Sequence, residues 1–134
     1  MSVVVGYVPD NTGFLAIKEA AREARWRETD VMVVNVVDTT SGYAVPTAAD
    51  EKQMDAVESY LRDAGVPYSN RQITHQAGSA AEEILQLAAE SSAELIVVGI
   101  RRRSAVAKAV LGSNAQRILT AAPCPVLAVR APDE

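Results

Sequence analysis

The amino-acid sequence predicts an α/β protein in which a parallel sheet is covered by helices on both faces. Five strand-like runs alternate with four segments of helical period. Three of the runs, Val3-Val4-Val5, Leu95-Ile96-Val97-Val98 and Val126-Leu127-Ala128-Val129, are continuously apolar, as parallel strands covered on both faces are. Helix start and stop residues also sit where the period requires them. The order β-α-β-α-β-α-β-α-β implies right-handed crossovers within one sheet.

Each element has its own justification. After the first strand, Ile17, Ala20, Ala21 and Ala24 recur at helical spacing and predict a helix packed on the sheet. The second strand spans residues 31–37. It is followed by the longest loop, Thr39-Thr40-Ser41-Gly42-Tyr43-Ala44-Val45-Pro46, which has turn composition and no period. Met54, Val57 and Leu61 mark the second helix, and Ala64-Gly65-Val66-Pro67 ends it with glycine just past the last turn and proline beyond. A third strand, 68–74, leads to a helix with Ile84, Leu85 and Ala88 on its inner stripe, opened by a Ser79/Glu82 capping box. The fourth strand, 95–98, is expected to break at Gly99. A polar loop with Arg101-Arg102-Arg103-Ser104 follows, then Leu111-Gly112-Ser113-Asn114. Ser113 and Gln116 form a second capping box, with Ile118, Leu119 and Ala122 as the packed stripe.

The 134 residues, 49% hydrophobic, suit one domain over residues 1–134 with an ample core. A net charge of −4 argues against a general nucleic-acid binder, which needs a basic surface to release counterions. The only cysteine, Cys124, has no internal disulfide partner, and its place between Pro123 and Pro125 suits a small residue in a tight turn. No apolar stretch approaches the roughly 20 residues of a membrane span, and the first residues lack a secretory pattern, so no membrane partner and a cytoplasmic location are expected. His75, the only histidine, has no ligand cluster around it in the sequence. With no Walker lysine and no paired carboxylates, an enzyme is not expected.

In a parallel sheet of this kind ligands lie beyond the carboxyl ends of the strands, where the strand order reverses. Three loops should meet there: residues 7–11, 36–40 and 100–113. The first amides of a helix have no carbonyl partner and carry part of the helix dipole, so a Gly-Ser start such as Gly112-Ser113 suits a phosphate. The same pair also reads as ordinary helix punctuation.

Three motifs carry a family resemblance: Leu95-Ile96-Val97-Val98-Gly99, Leu111-Gly112-Ser113-Asn114-Ala115-Gln116-Arg117-Ile118-Leu119, and Ala122-Pro123-Cys124-Pro125-Val126-Leu127-Ala128-Val129. Together with Val3-Val4-Val5-Gly6-Tyr7 and Val33-Val34-Asn35-Val36, the chain resembles the universal stress protein family over nearly its whole length. The resemblance implies a flavodoxin-like (Rossmann-like) five-stranded sheet of order 3-2-1-4-5 and a homodimer through the last strand, Val126 to Val129. It further implies an adenine nucleotide, ATP or AMP, with or without Mg²⁺, held through a G-x2-G-x9-G-[ST] motif. Gly99 is then the first glycine, Gly112 the third and Ser113 the hydroxyl residue, with Asn114 beside it, while the Val36 backbone meets the adenine.

The chain departs from that pattern twice. Arg102 stands where the second glycine would be, and Val8 replaces the aspartate that follows the first strand. Within Val8-Pro9-Asp10, Asp10 is favoured as a turn or helix-capping residue over a ligand. Arg101, Arg102 and Arg103, with Lys108, either clamp phosphate through charged hydrogen bonds or form a solvated loop. The expected function is nucleotide binding by a stress-response regulator. The alternative is a dimeric interaction module of the same fold that takes no ligand.

Overall fold

The computed structural model describes residues 2–38, 51–75, 80–100 and 113–130. They form β1 (Ser2–Gly6), α1 (Asn11–Arg27), β2 (Asp30–Asp38), α2 (Glu51–Asp63), β3 (Tyr68–His75), α3 (Ala80–Glu90), β4 (Leu95–Ile100), α4 (Ser113–Ala121) and β5 (Val126–Arg130). The strands are all parallel in the order β3-β2-β1-β4-β5, a doubly wound, Rossmann-like arrangement.

Side chains alternate across a strand, and this sorts the core into two layers. Val3, Val5, Val31, Val33, Leu95 and Val97 face α1 and α2, meeting Ile17, Ala20, Ala24, Val57 and Leu61. Val4, Val34, Val36, Ile96 and Val98 face α3 and α4, meeting Ala81, Ile84, Leu85, Ala88 and Ile118. Each fully buried Val, Leu or Ile contributes about 1.5–3 kcal/mol relative to an exposed one. The alanines of α1 bring that helix close to the two central strands.

Three of the four helices, α1, α2 and α3, end alike. Gly65 has φ +73°, its amide donates to the Arg62 carbonyl, and the Val66 amide donates to Leu61, a Schellman ending of the kind the glycine predicts. Glu28 (φ 54°) and Ser92 (φ 52°) end α1 and α3 in the same way without being glycine.

Some expectations are corrected. β4 does not break at Gly99: it runs to Ile100, and Gly99 and Ile100 pair with Val129 and Arg130 of β5. Leu119 is not on the packed stripe of α4 but is 40% exposed, because Ile118 takes the inward position and Leu119 is rotated about 100° away from it. Met54 does pack against its core layer, as its place on the α2 stripe predicts, and is partly buried. Residues 39–50 and Ser79 lie outside the described residues.

Candidate functional site

The chain leaves β1 for α1 on one face of the sheet and leaves β4 for α4 on the other. β1 and β4 are neighbours, so the strand order reverses between them and a crevice opens at their carboxyl ends. Val34, Ile84, Val98 and Ile118 form its apolar floor; Tyr7, Val8 and Val36 stand at the strand ends. The starts of three helices face it: Thr12 and Gly13 of α1, Ala80 of α3, and Asn114 and Ala115 of α4.

The turn from β1 into α1 is held tightly. The Asp10 amide donates to the Val8 carbonyl at 2.7 Å, and the Asp10 carboxylate accepts from the Gly13 amide at 2.7 Å. Asp10 is therefore the N-cap of α1, satisfying one of its orphan donors. A Cβ on Gly13 would overlap the Val8 carbonyl oxygen, so only glycine lets the first turn of α1 lie against this turn. Gly99 has a related reason: a Cβ there would lie 2.7 Å from Thr12 Cγ2 and 3.2 Å from the Thr12 carbonyl oxygen. Its lack of a side chain seats the start of α1 on β4.

On the opposite face, Asn114 Oδ1 accepts from the Ala81 amide at 3.3 Å, so α4 caps the first turn of α3. An Arg117–Glu82 ion pair, 2.6 Å, joins the same helices at the surface. Both groups are more than half exposed, so its contribution is about 0–1 kcal/mol.

Val36 has the most telling backbone. The Tyr7 amide donates to the Val34 carbonyl at 2.8 Å, which shows that Val34 turns its peptide groups toward β1. Two residues on, Val36 turns its own N–H and C=O the same way. The β1–β2 register ends at Gly6↔Val34, and the chain then turns away at Val8. A hydrogen-bonding peptide edge thus faces the crevice beside the helix starts.

Of the residues singled out in the sequence, Val8, Asp10, Val36, Gly99 and Asn114 line this crevice, while Pro9 is not among its described lining residues. Ser113 begins α4 next to Asn114. Arg101, Arg102, Arg103, Lys108 and Gly112 lie outside the described residues. Sequence reasoning missed Thr12, Gly13, Ala80 and Ala115; the signal for Gly13 was a glycine three residues after a capping aspartate. Among the described residues no group of three His, Cys, Asp or Glu is placed to hold a metal ion, and no helix is long and apolar enough to cross a membrane. Burial pushes the Cys124 thiol above its ordinary value, which keeps it protonated near neutral pH.

A family model described as the universal stress protein family matches residues 1–130. A universal stress protein of Mycolicibacterium smegmatis is 42% identical over 130 residues, covering 96% of each chain. Among solved structures, a universal stress protein from Archaeoglobus fulgidus superposes with a TM-score of 0.79 at 25% identity, covering 96% of this chain and 98% of that one. A universal stress protein of the same organism in complex with dAMP superposes with a TM-score of 0.70 at 23% identity, covering 96% and 97%.

Proposed function

The chain belongs to the universal stress protein family, and on that premise we propose that its crevice binds an adenine nucleotide, AMP or ATP, as the signal of a cytoplasmic stress-response regulator. The observation that carries this reading is the Val36 peptide turned toward the gap where β1 ends, within one crevice shared with three helix starts. An N–H beside a C=O suits the N1 acceptor and the N6 amino donor of adenine. The apolar floor suits the base itself, and helix amides suit phosphate. Relatives of the same fold include one that holds dAMP.

Binding without turnover is part of the proposal. Asp10, the carboxylate among the described lining residues, accepts from the Gly13 amide. The nucleotide would be held by Val36 at the base and by the starts of α3 and α4 at the phosphates, with Gly112, Ser113 and the arginines of residues 101–103 completing the phosphate side. We also propose a homodimer across β5. Among the described residues this strand pairs with β4 alone, and Val126-Leu127-Ala128-Val129 is an apolar edge that a second copy would cover.

The test is calorimetric titration with AMP, ADP and ATP, each with and without Mg²⁺. Saturable binding of at least one nucleotide at submillimolar concentration is expected. Absence of binding by all three would overturn the reading and favour the ligand-independent interaction module.

A further inference from the structure

Asn35 interrupts the apolar run of β2 between residues 31 and 37, and among the described residues it is the most deeply buried polar side chain, 1% exposed. A carboxamide in that position costs stability unless its hydrogen bonds are met. Asn35 Nδ2 donates to the Tyr7 carbonyl at 3.0 Å, and Oδ1 accepts from Gln72 Nε2 at 3.0 Å. Since a carbonyl only accepts, the Tyr7 contact sets which end of the amide points where. Gln72, directly opposite Asn35 in the β2–β3 register, locks that orientation from the next strand.

The placement of the first bond is unusual. In a parallel ladder a residue sends its N–H and its C=O to the same neighbour, so after Tyr7 N–H to Val34 the next rung would join the Tyr7 carbonyl to the Val36 amide. At this rung the donor is the Asn35 side chain. We propose that Asn35, oriented by Gln72, is a positioning residue for the base half of the crevice. It takes the Tyr7 carbonyl in place of the backbone, ends the β1–β2 ladder one rung early, and so leaves the Val36 N–H available to a ligand. The consequence for binding rests on the nucleotide reading above; the consequence for the ladder rests on the fold alone.

The experiment uses Asn35→Leu in the full chain and has two arms. In the first, amide hydrogen exchange is followed by NMR without ligand. The expected result is that Val36 exchanges about tenfold more slowly in the variant, because the Tyr7 carbonyl recruits its amide, while Val34 changes less than twofold. A merely structural role would speed exchange at both residues, and an unchanged or faster Val36 would overturn the proposal. In the second arm, AMP is compared with ribose 5-phosphate, which lacks the base. AMP affinity should fall about tenfold and ribose 5-phosphate affinity should change less than twofold; equal losses for both would count against a role at the base. If wild type binds no AMP, the nucleotide reading fails and the exchange arm still decides the role of Asn35. Should Asn35→Leu not fold, Gln72→Leu, on the exposed edge strand, replaces it: AMP should weaken about threefold with ribose 5-phosphate unchanged, and unaltered AMP binding would overturn the proposal.

Discussion

Gly13→Ala should destabilise this protein, although the same change in the interior of an ordinary helix stabilises it by about 1 kcal/mol. The reason is geometric. The added Cβ would overlap the Val8 carbonyl oxygen and lie 2.9 Å from its carbon, and the obstacle is backbone, which cannot rotate aside. Either the first turn of α1 retreats from β1 or the tight turn at Val8–Asp10 opens. Overpacking of this kind costs about 1–3 kcal/mol, and movement of the Gly13 amide away from Asp10 forfeits a cap worth about 1 kcal/mol. Set against the propensity gain, the net loss is about 2 kcal/mol. For a chain of 134 residues that lowers Tm by roughly 6–10 °C. Urea unfolding followed by circular dichroism measures it directly. Because Val8 and Gly13 both line the crevice, nucleotide affinity should fall in parallel. Gly65→Ala is the contrast: nothing lies within 4 Å of its Cβ, and it should lose about 1 kcal/mol through the positive φ alone. A Gly13→Ala protein as stable as wild type would refute the close-approach argument.

Three further outcomes follow from other parts of the molecule. Ser92→Gly should raise stability by about 0.5–1 kcal/mol, since φ 52° suits glycine at a helix end, and a loss of stability in urea would contradict the strain assigned to that position. Leu127→Pro should convert the proposed dimer to monomer in sedimentation at micromolar concentration, because it breaks the apolar edge strand; a dimer that persists would place the interface elsewhere. Arg102→Gly separates the two readings of the arginine loop. If the loop clamps phosphate, ATP weakens roughly tenfold to a hundredfold and binding is steeply salt-sensitive. Tighter binding would mean that the side chain obstructs the site.

The element order and most of the core were legible in the sequence, for a local reason. Strand and helix periods are written in neighbouring residues, so Ile17, Ala20 and Ala24, or Ile84, Leu85 and Ala88, announce their inward faces without reference to anything distant. Leu119 shows the limit: Ile118 and Leu119 carry the same apolar signal, and only packing against the sheet decides that Ile118 is buried and Leu119 is not. The end of α2 was legible because glycine takes positive φ at no steric cost, whereas Glu28 and Ser92 take it under the direction of their helices.

The crevice was legible as a location and less so as a mechanism. Gly99 stood out from its motif, but its role against Thr12 depends on a helix about 90 residues earlier in the chain. Asn35 carried a visible signal, a polar residue within an apolar run, and its meaning needed the Tyr7 carbonyl and Gln72 to be placed beside it. Asn114 was singled out for a ligand, and the structure adds a second task, capping α3 through Ala81.

The most direct test of the nucleotide site is a map of amide chemical shifts in a ¹⁵N-labelled sample titrated with AMP. Saturable shifts concentrated at Val8, Gly13, Val36, Asn114 and Ala115 are predicted, since these residues come together at the reversal of strand order. Shifts absent from that group at saturating AMP, or concentrated along β5 instead, would contradict it.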